Sequence, residues 1–325
     1  MSDLKAVEEE LKRRHQGGLS IGLAVDGSQM SDRAAQCAVS FTDTRKDKLT
    51  VLHVSDKSKS YLPQHLRPTH IKNYYQDMVA SLKLGCRAEW LCREKSEGES
   101  TCAALTTMAD KAGVDLLVLG SFGRKGEKLD MLGTVSDFTL RQSHASLCIV
   151  RSTGSKFDKQ ARFCFATDGS HAAHLAFVVL INLLRRPLDI VHVVMVSSTD
   201  GVLEQKCVEQ YKQYMEAKGV TGTTTVKCID RLKMSIPEGV LEAVADTDSD
   251  VLVMGISGYG KKKLGSVSED ISVRASCTTI IIKDSYEVLS NRFSSGGAGT
   301  LARELMPSPT KAPSHQNSFS NTTRS

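Results

Sequence analysis

With 325 residues, the chain is long enough for two domains that each bury a core, and its 40% apolar and 24% charged residues match ordinary globular proteins. A formal charge of +5 and 5% aromatic residues exclude the basic stripe and base-stacking platforms of a dedicated nucleic-acid binder. No stretch approaches the roughly 20 apolar residues that cross a bilayer, and positions 1–18 lack the apolar segment of a secretory signal. A cytoplasmic location with no membrane association is therefore expected.

Positions 1–18 are charged and helix-prone and are expected to lie outside the core. Continuous apolar runs at 21–25, 49–54, 115–119 and 147–150 read as strands buried on both faces, with 86–91 as a fifth. Helical patterns at 31–41, 68–83 and 100–111 lie between them. A polar linker at 153–159 follows, and the beat then returns with strands at 162–167, 189–194, 223–229, 250–254 and 279–283. Strands alternating with helices specify an α/β fold, a doubly wound parallel sheet with helices on both faces. Two such five-stranded, Rossmann-like domains are expected, at 19–152 and 160–284. Positions 285–325 are rich in Ser, Pro, Thr and Gly and poor in apolar residues, so disorder is expected there.

The two halves repeat each other. Asp26-Gly27-Ser28 returns as Asp168-Gly169-Ser170, and Leu52-His53-Val54 as Val191-His192-Val193. The run 115–120 returns at 250–255, and Gly133-Thr134-Val135-Ser136 as Gly265-Ser266-Val267-Ser268. Four landmarks in one order indicate a duplicated domain. The final strands, 147–150 and 279–283, would leave apolar edges, so they are expected to face each other across a pseudo-twofold axis, as an intramolecular pseudo-dimer. Nine cysteines without a Cys-x-x-Cys pair read as reduced, buried, small apolar residues, with Cys86 and Cys92 unable to bridge within one strand.

In an open parallel sheet, ligands bind beyond the carboxyl ends of the strands, where the strand order reverses. Asp26, Val54 and Gly120 fall at such ends. Glycine lets backbone N–H groups approach a phosphate without a Cβ in the way. Gly133-Thr134 opens a helix whose free N–H groups and dipole favour an anion, and the Thr134 hydroxyl would cap that helix or reach a phosphate oxygen.

The spacing Gly120-x2-Gly123-x9-Gly133-Thr134, together with Asp26 and His53-Val54, resembles the nucleotide loop of ATP-binding universal stress proteins, whose fold is also that of the adenine-nucleotide α-hydrolases. The resemblance implies that Asp26, with backbone from Val25 and Val54, holds adenine and ribose, and that Gly120 faces the ribose. It further implies that Gly123, Gly133, Thr134 and Val135 offer N–H groups to the phosphates of ATP, bound with Mg²⁺ or Mn²⁺. Ala24 stands where some members of that family have proline.

The second repeat departs further. Only six residues separate Gly258 from Gly265, against nine between Gly123 and Gly133. Asp168, Val193, Gly255, Gly258, Gly265 and Ser266 are its corresponding positions, with Lys261, Lys262 and Lys263 adding charge. A shorter loop implies a weaker site, or one that takes AMP or ADP.

Other motifs carry less. Gly255-x4-Gly260-Lys261 starts like a phosphate-binding P-loop but continues with Lys262 where Ser or Thr must hold Mg²⁺. His53 and His192 read as hydrogen-bonded structural histidines, and His171 and His174 as surface or capping residues. No nucleophile–base pair or metal cluster stands out, so a nucleotide-binding regulatory or stress-response protein is expected, with slow ATP hydrolysis at most. Two alternatives stay open: an α-hydrolase-type enzyme forming an adenylate, and an interaction scaffold with vestigial sites. The sequence names no protein partner.

Overall fold

The structure, a computed structural model, describes residues 2–284 apart from positions 16–17, 60, 84, 86–87, 125, 127–130, 152–158, 186, 199–200 and 257–264. The expected disordered tail and the linker therefore lie outside the described residues, apart from Lys159 and Asp284 at their borders.

A helix α1 (Ser2–Arg14) precedes the first repeat, which runs β1 (Ser20–Ala24), α2 (Gln29–Phe41), β2 (Lys48–Ser55), α3 (Pro68–Leu82), β3 (Ala88–Glu94), α4 (Thr101–Lys111), β4 (Leu116–Gly120), α5 (Thr134–Gln142) and β5 (Ser146–Val150). The second runs β6 (Arg162–Ala166), α6 (His171–Leu183), β7 (Ile190–Ser197), α7 (Val202–Lys218), β8 (Thr221–Cys228), α8 (Ile236–Asp246), β9 (Val251–Ile256), α9 (Ser266–Arg274) and β10 (Thr278–Lys283). One ten-stranded sheet joins them in the order β3-β2-β1-β4-β5-β10-β9-β6-β7-β8. Pairing is parallel within each repeat, and β5 meets β10 antiparallel with Cys148 opposite Ile280. The two apolar edges thus cover each other, as the sequence requires.

Both faces of the strands are apolar, so alternate residues feed two separate cores. Ile21, Leu23, Leu116, Val118, Cys148 and Val150 point to one, and Leu117, Leu119, Leu147 and Ile149 to the other. Serine caps start several helices: the Ser28 and Ser170 hydroxyls accept from Ser31 N–H and Ala173 N–H at 3.3 and 3.2 Å. Helices α5 and α9 instead open on Gly133 and Gly265 with no side-chain cap.

The repeats also exchange cations at their junction. Arg151, just past β5, donates to Ser272 O and Val273 O at the end of α9, at 3.1 and 2.8 Å. Lys283, at the end of β10, donates to Leu140 O and Ser143 O at the end of α5, at 2.8 and 2.7 Å. Each repeat therefore supplies the cation that meets the negative end of the other's helix. Burial pushes the Lys283 ammonium down to about 8.

Three expectations are corrected. Positions 1–18 do not stand outside the core: Leu4, Val7 and Leu11 are buried against the second repeat's α6. Their i, i+3, i+7 spacing makes one apolar stripe on an otherwise charged helix. Glu8 ties the same helix down, accepting from Tyr214 OH and Lys218 Nζ at 2.8 and 2.7 Å. The cysteines are not uniformly buried, since Cys92 and Cys228 on the edge strands are exposed; Cys86 lies outside the described residues.

The third correction concerns register. Ser20 pairs with Lys48 in the first repeat and Arg162 with Ile190 in the second, so the counterparts of His53 and Val54 are Met195 and Val196. Val193 lies mid-strand opposite Phe165 and is buried, and His192 is likewise mid-strand, held by Thr223 Oγ1 at 2.9 Å. Valine repeats so often in β7 that a shift of three residues preserves the motif's look.

Candidate nucleotide site

All eight positions singled out in the first repeat line one cleft of about 1070 Å³ at the carboxyl ends of β1, β2 and β4. The strand ends come together because β1 lies between β2 and β4, the point where the order reverses. Leu52, Leu66, Leu105, Leu119, Phe122 and Leu132 supply apolar wall. Arg124, Leu66 and Phe122 are lining residues that sequence reasoning did not single out; only their distance from the glycines, or none, could have signalled them.

At the end of β1, the Val25 carbonyl accepts from His53 Nδ1 at 2.9 Å, which fixes the proton on that nitrogen. His53 is buried, stacks on Trp90 with centroids 5.9 Å apart, and has its imidazole pushed towards the neutral form by burial. It is hydrogen-bonded, as expected, and it also lines the cleft.

Asp26 follows. Its Oδ1 accepts from Ser28 N–H at 3.0 Å and Ser31 Oγ–H at 2.8 Å, and its Oδ2 from Arg124 N–H at 3.3 Å.

The glycines are there for close approach. A Cβ on Gly120 would stand 2.7 Å from the Met30 Cβ of α2, and one on Gly123 2.7 Å from Asp26 Oδ2. A Cβ on Gly133 would meet Ser121 O at 2.8 Å and Phe122 Cα at 3.2 Å. That proximity is used: Gly133 N–H donates to Ser121 O at 2.8 Å, and the buried Ser136 hydroxyl donates to Gly120 O at 2.8 Å. The strand end and the helix start are thus sewn together.

Two details differ from the sequence reading. Gly133 N–H, expected on a phosphate, is already committed to Ser121 O. Gly133 rather than Thr134 is the N-cap of α5, so the Thr134 hydroxyl does not cap the helix. The N–H groups of Thr134 and Val135, on the first turn, have no hydrogen-bond partner among the described residues. They point the positive end of α5 at the cleft.

The second repeat is built differently at the same place. Among the described residues, Asp168 accepts only from Ser170 N–H, at 2.9 Å, because Ala173 stands where the first repeat has Ser31. Thr167 stands in the position of Val25, its hydroxyl 2.8 Å from that of Tyr211 on α7, and Met195 stands in the position of His53. A Cβ on Gly255 would fall 2.2 Å from Ala172 O, so α6 lies tight on β9. Gly265 and Ser266 open α9, whereas Gly258 and Lys261 to Lys263 lie outside the described residues. His171 pairs with Asp284 at 3.4 Å and His174 is buried against Tyr211.

The universal stress protein family matches residues 20–151 and 161–283, and the chain belongs to that family. It is similar to the universal stress protein YxiE of Bacillus subtilis, 30% identical over 142 residues, or 40% of this chain and 96% of that protein. It is also similar over both repeats to the universal stress protein Rv2005c of Mycobacterium tuberculosis, 25% identical over 301 residues, or 84% of this chain and 99% of the relative. The crystal structure of a universal stress protein from Archaeoglobus fulgidus shares the fold with a TM-score of 0.63, at 17% identity, over 81% of this chain and 98% of that one. No helix among the described residues is long and apolar enough to cross a membrane.

Proposed function

We propose that the first repeat binds an adenine nucleotide, ATP in preference, and that the protein is a nucleotide-binding regulator of the stress-response type. The observation that carries this is the convergence, in one cleft, of an apolar pocket at the ends of β1 and β2 with the uncapped start of α5. The apolar walls suit a base, and the backbone of Val25 and Val54 borders it. Gly120 also lines the cleft and would sit beside the ribose, and the N–H groups of Gly123, Thr134 and Val135 suit a polyphosphate. Mg²⁺ or Mn²⁺ would come with the nucleotide on its phosphate oxygens. No group of three His, Cys, Asp or Glu among the described residues is placed to hold one. Such an ion would neutralise phosphate charge. The second repeat, with its differently built strand ends, would bind more weakly or take AMP or ADP.

Mass spectrometry of ligand released from natively purified protein, followed by ATP titration of the stripped protein, tests this reading. An adenine nucleotide released and rebound is the expected result. Trp90, the single tryptophan, stacks on the cleft residue His53 and gives an optical readout. Protein that releases none and shows no response to ATP would overturn the assignment.

A further inference from the structure

The cleft has two walls, one from each face of the sheet. Helix α3 packs with α2 on one core, through Ile71, Tyr75 and Val79, whereas α4 and α5 pack on the other, through Leu105 and Leu140. The segment from β2 to α3 therefore borders the cleft opposite the start of α5, and Leu62, Leu66, Arg67 and Pro68 line it there. Leu66 holds that segment close, because a Cβ on Gly27 would stand 2.7 Å from its Cδ2. Arg67 follows as the N-cap of α3. Its N–H donates to Gln64 O at 3.1 Å, and its carbonyl accepts from Ile71 N–H at 3.0 Å. Pro68 restricts it further to extended backbone, with φ −79° and ψ 149°. The backbone is fixed, and the side chain is exposed.

Charge singles Arg67 out. Of the charged residues lining the cleft, Arg124 lies 3.8 Å from Asp26, Lys57 2.8 Å from Glu94, and Asp56 3.4 Å from Lys95. Among the described residues, the Arg67 guanidinium has neither an ion pair nor a hydrogen bond. The second repeat offers no counterpart. Ile71 and Cys207 each face the glycine of an Asp-Gly-Ser turn, at 3.5 and 2.9 Å from an added Cβ, so α3 and α7 match with Tyr75 at Tyr211. By that match Arg67 corresponds to the exposed Leu203.

We propose that Arg67 is a specificity-determining residue, which selects nucleoside polyphosphates by taking the outer phosphates from the wall facing α5. The proposal rests on reading the cleft as a nucleotide site and adds a residue to it. The N–H groups of Thr134 and Val135 approach a phosphate from one side only, and the single phosphate of AMP is satisfied there. A triphosphate carries more charge and extends further. A guanidinium on the opposite wall can pair with its outer oxygens bidentately. An arginine already tied to a carboxylate would first have to leave that pair, and Arg67 has none to leave. Leu203 cannot do the same work, so the second repeat lacks this discrimination.

Calorimetric titration of the full chain with ATP, AMP and adenosine tests this, for wild type, Arg67→Ala and Arg67→Lys. Arg67→Ala should weaken ATP binding by about tenfold, the worth of an exposed charge-assisted bond, and leave AMP and adenosine within about threefold. Arg67→Lys keeps the charge without the planar fork and should fall between wild type and Arg67→Ala. The gap between wild type and Arg67→Ala should narrow in about 1 M salt, where exposed charges are screened. Adenosine weakened as much as ATP would place Arg67 on the base or ribose and overturn the inference. A ratio of ATP to AMP affinity that Arg67→Ala leaves unchanged would overturn it too. Both of those results leave the nucleotide reading standing, whereas wild type that binds none of the three ligands overturns that reading and this inference with it. Should Arg67→Ala fail to fold, Arg67→Met replaces it, keeping an aliphatic stem and removing the charge.

Discussion

The two repeats share a sheet, a helix order and a set of glycines, yet they differ where a ligand would lie. In the first, Asp26 joins the opening turn to the segment after β4, and Gly133 is pressed against Ser121 and Phe122. In the second, among the described residues, Asp168 holds only its own turn, and the nearest neighbour of Gly265 is Ser268 Oγ at 3.9 Å from an added Cβ. Duplication keeps the scaffold because each strand must still fill two cores. The loops beyond the strand ends are freer to diverge, since they lie at the surface and fill neither core.

The largest expected effect follows from the glycines. Gly133→Ala must push backbone against backbone, which should cost about 1–3 kcal/mol of stability and weaken ATP binding at least about a hundredfold. Gly265→Ala meets no described atom closer than 3.9 Å and should stay within about 0.5 kcal/mol and leave ATP binding unchanged. Thermal melts and ATP titrations of the two variants check this. Equal effects at both positions would erase the distinction between the repeats.

The junction offers a second contrast, Arg151 against Lys283. Arginine stays charged, whereas the buried lysine has its pKa lowered from 10.5 to about 8 in the folded protein. Between these values the unfolded chain binds more protons than the folded one, so unfolding free energy must rise with pH across that window. The penalty for burying the charge is fully present below about pH 8 and gone above 10.5. Stability relative to a Lys283→Met variant should therefore climb by up to about 3 kcal/mol from pH 8 to 10.5. Denaturant titrations at several pH values measure it, and Arg151→Met should show no such climb.

A smaller effect isolates the free N–H groups of α5. Proline is tolerated at the first helical position, so Thr134→Pro deletes one donor with little cost to the helix. ATP affinity should fall by about tenfold and adenosine affinity should not change, by calorimetry. Ser266→Pro, at the matching position of α9, should leave the stronger ATP site untouched.

Much of this was legible in the residues. Apolar runs of five or six between helical patterns specify strands buried on both faces, and the order of glycines and Asp26 marks the reversal point. Other features depend on distant partners. Nothing near Asp26 signals Arg124, and nothing near Gly133 signals that its N–H is taken by Ser121. The stripe of Leu4, Val7 and Leu11 was present but diluted by charge, and its docking face on α6 belongs to the other repeat. In β7, local likeness misled, because register is set by pairing with β6 and not by the His-Val motif.

The central claim is that one repeat, the first, carries the strong nucleotide site. Calorimetric titration of the stripped full-length protein with ATP and Mg²⁺ tests it most directly, because it counts sites as well as ranking them. The account predicts one strong site per chain, weakened by Thr134→Pro and unaffected by Ser266→Pro. Two equal sites, or a single site weakened by Ser266→Pro and not by Thr134→Pro, would contradict it.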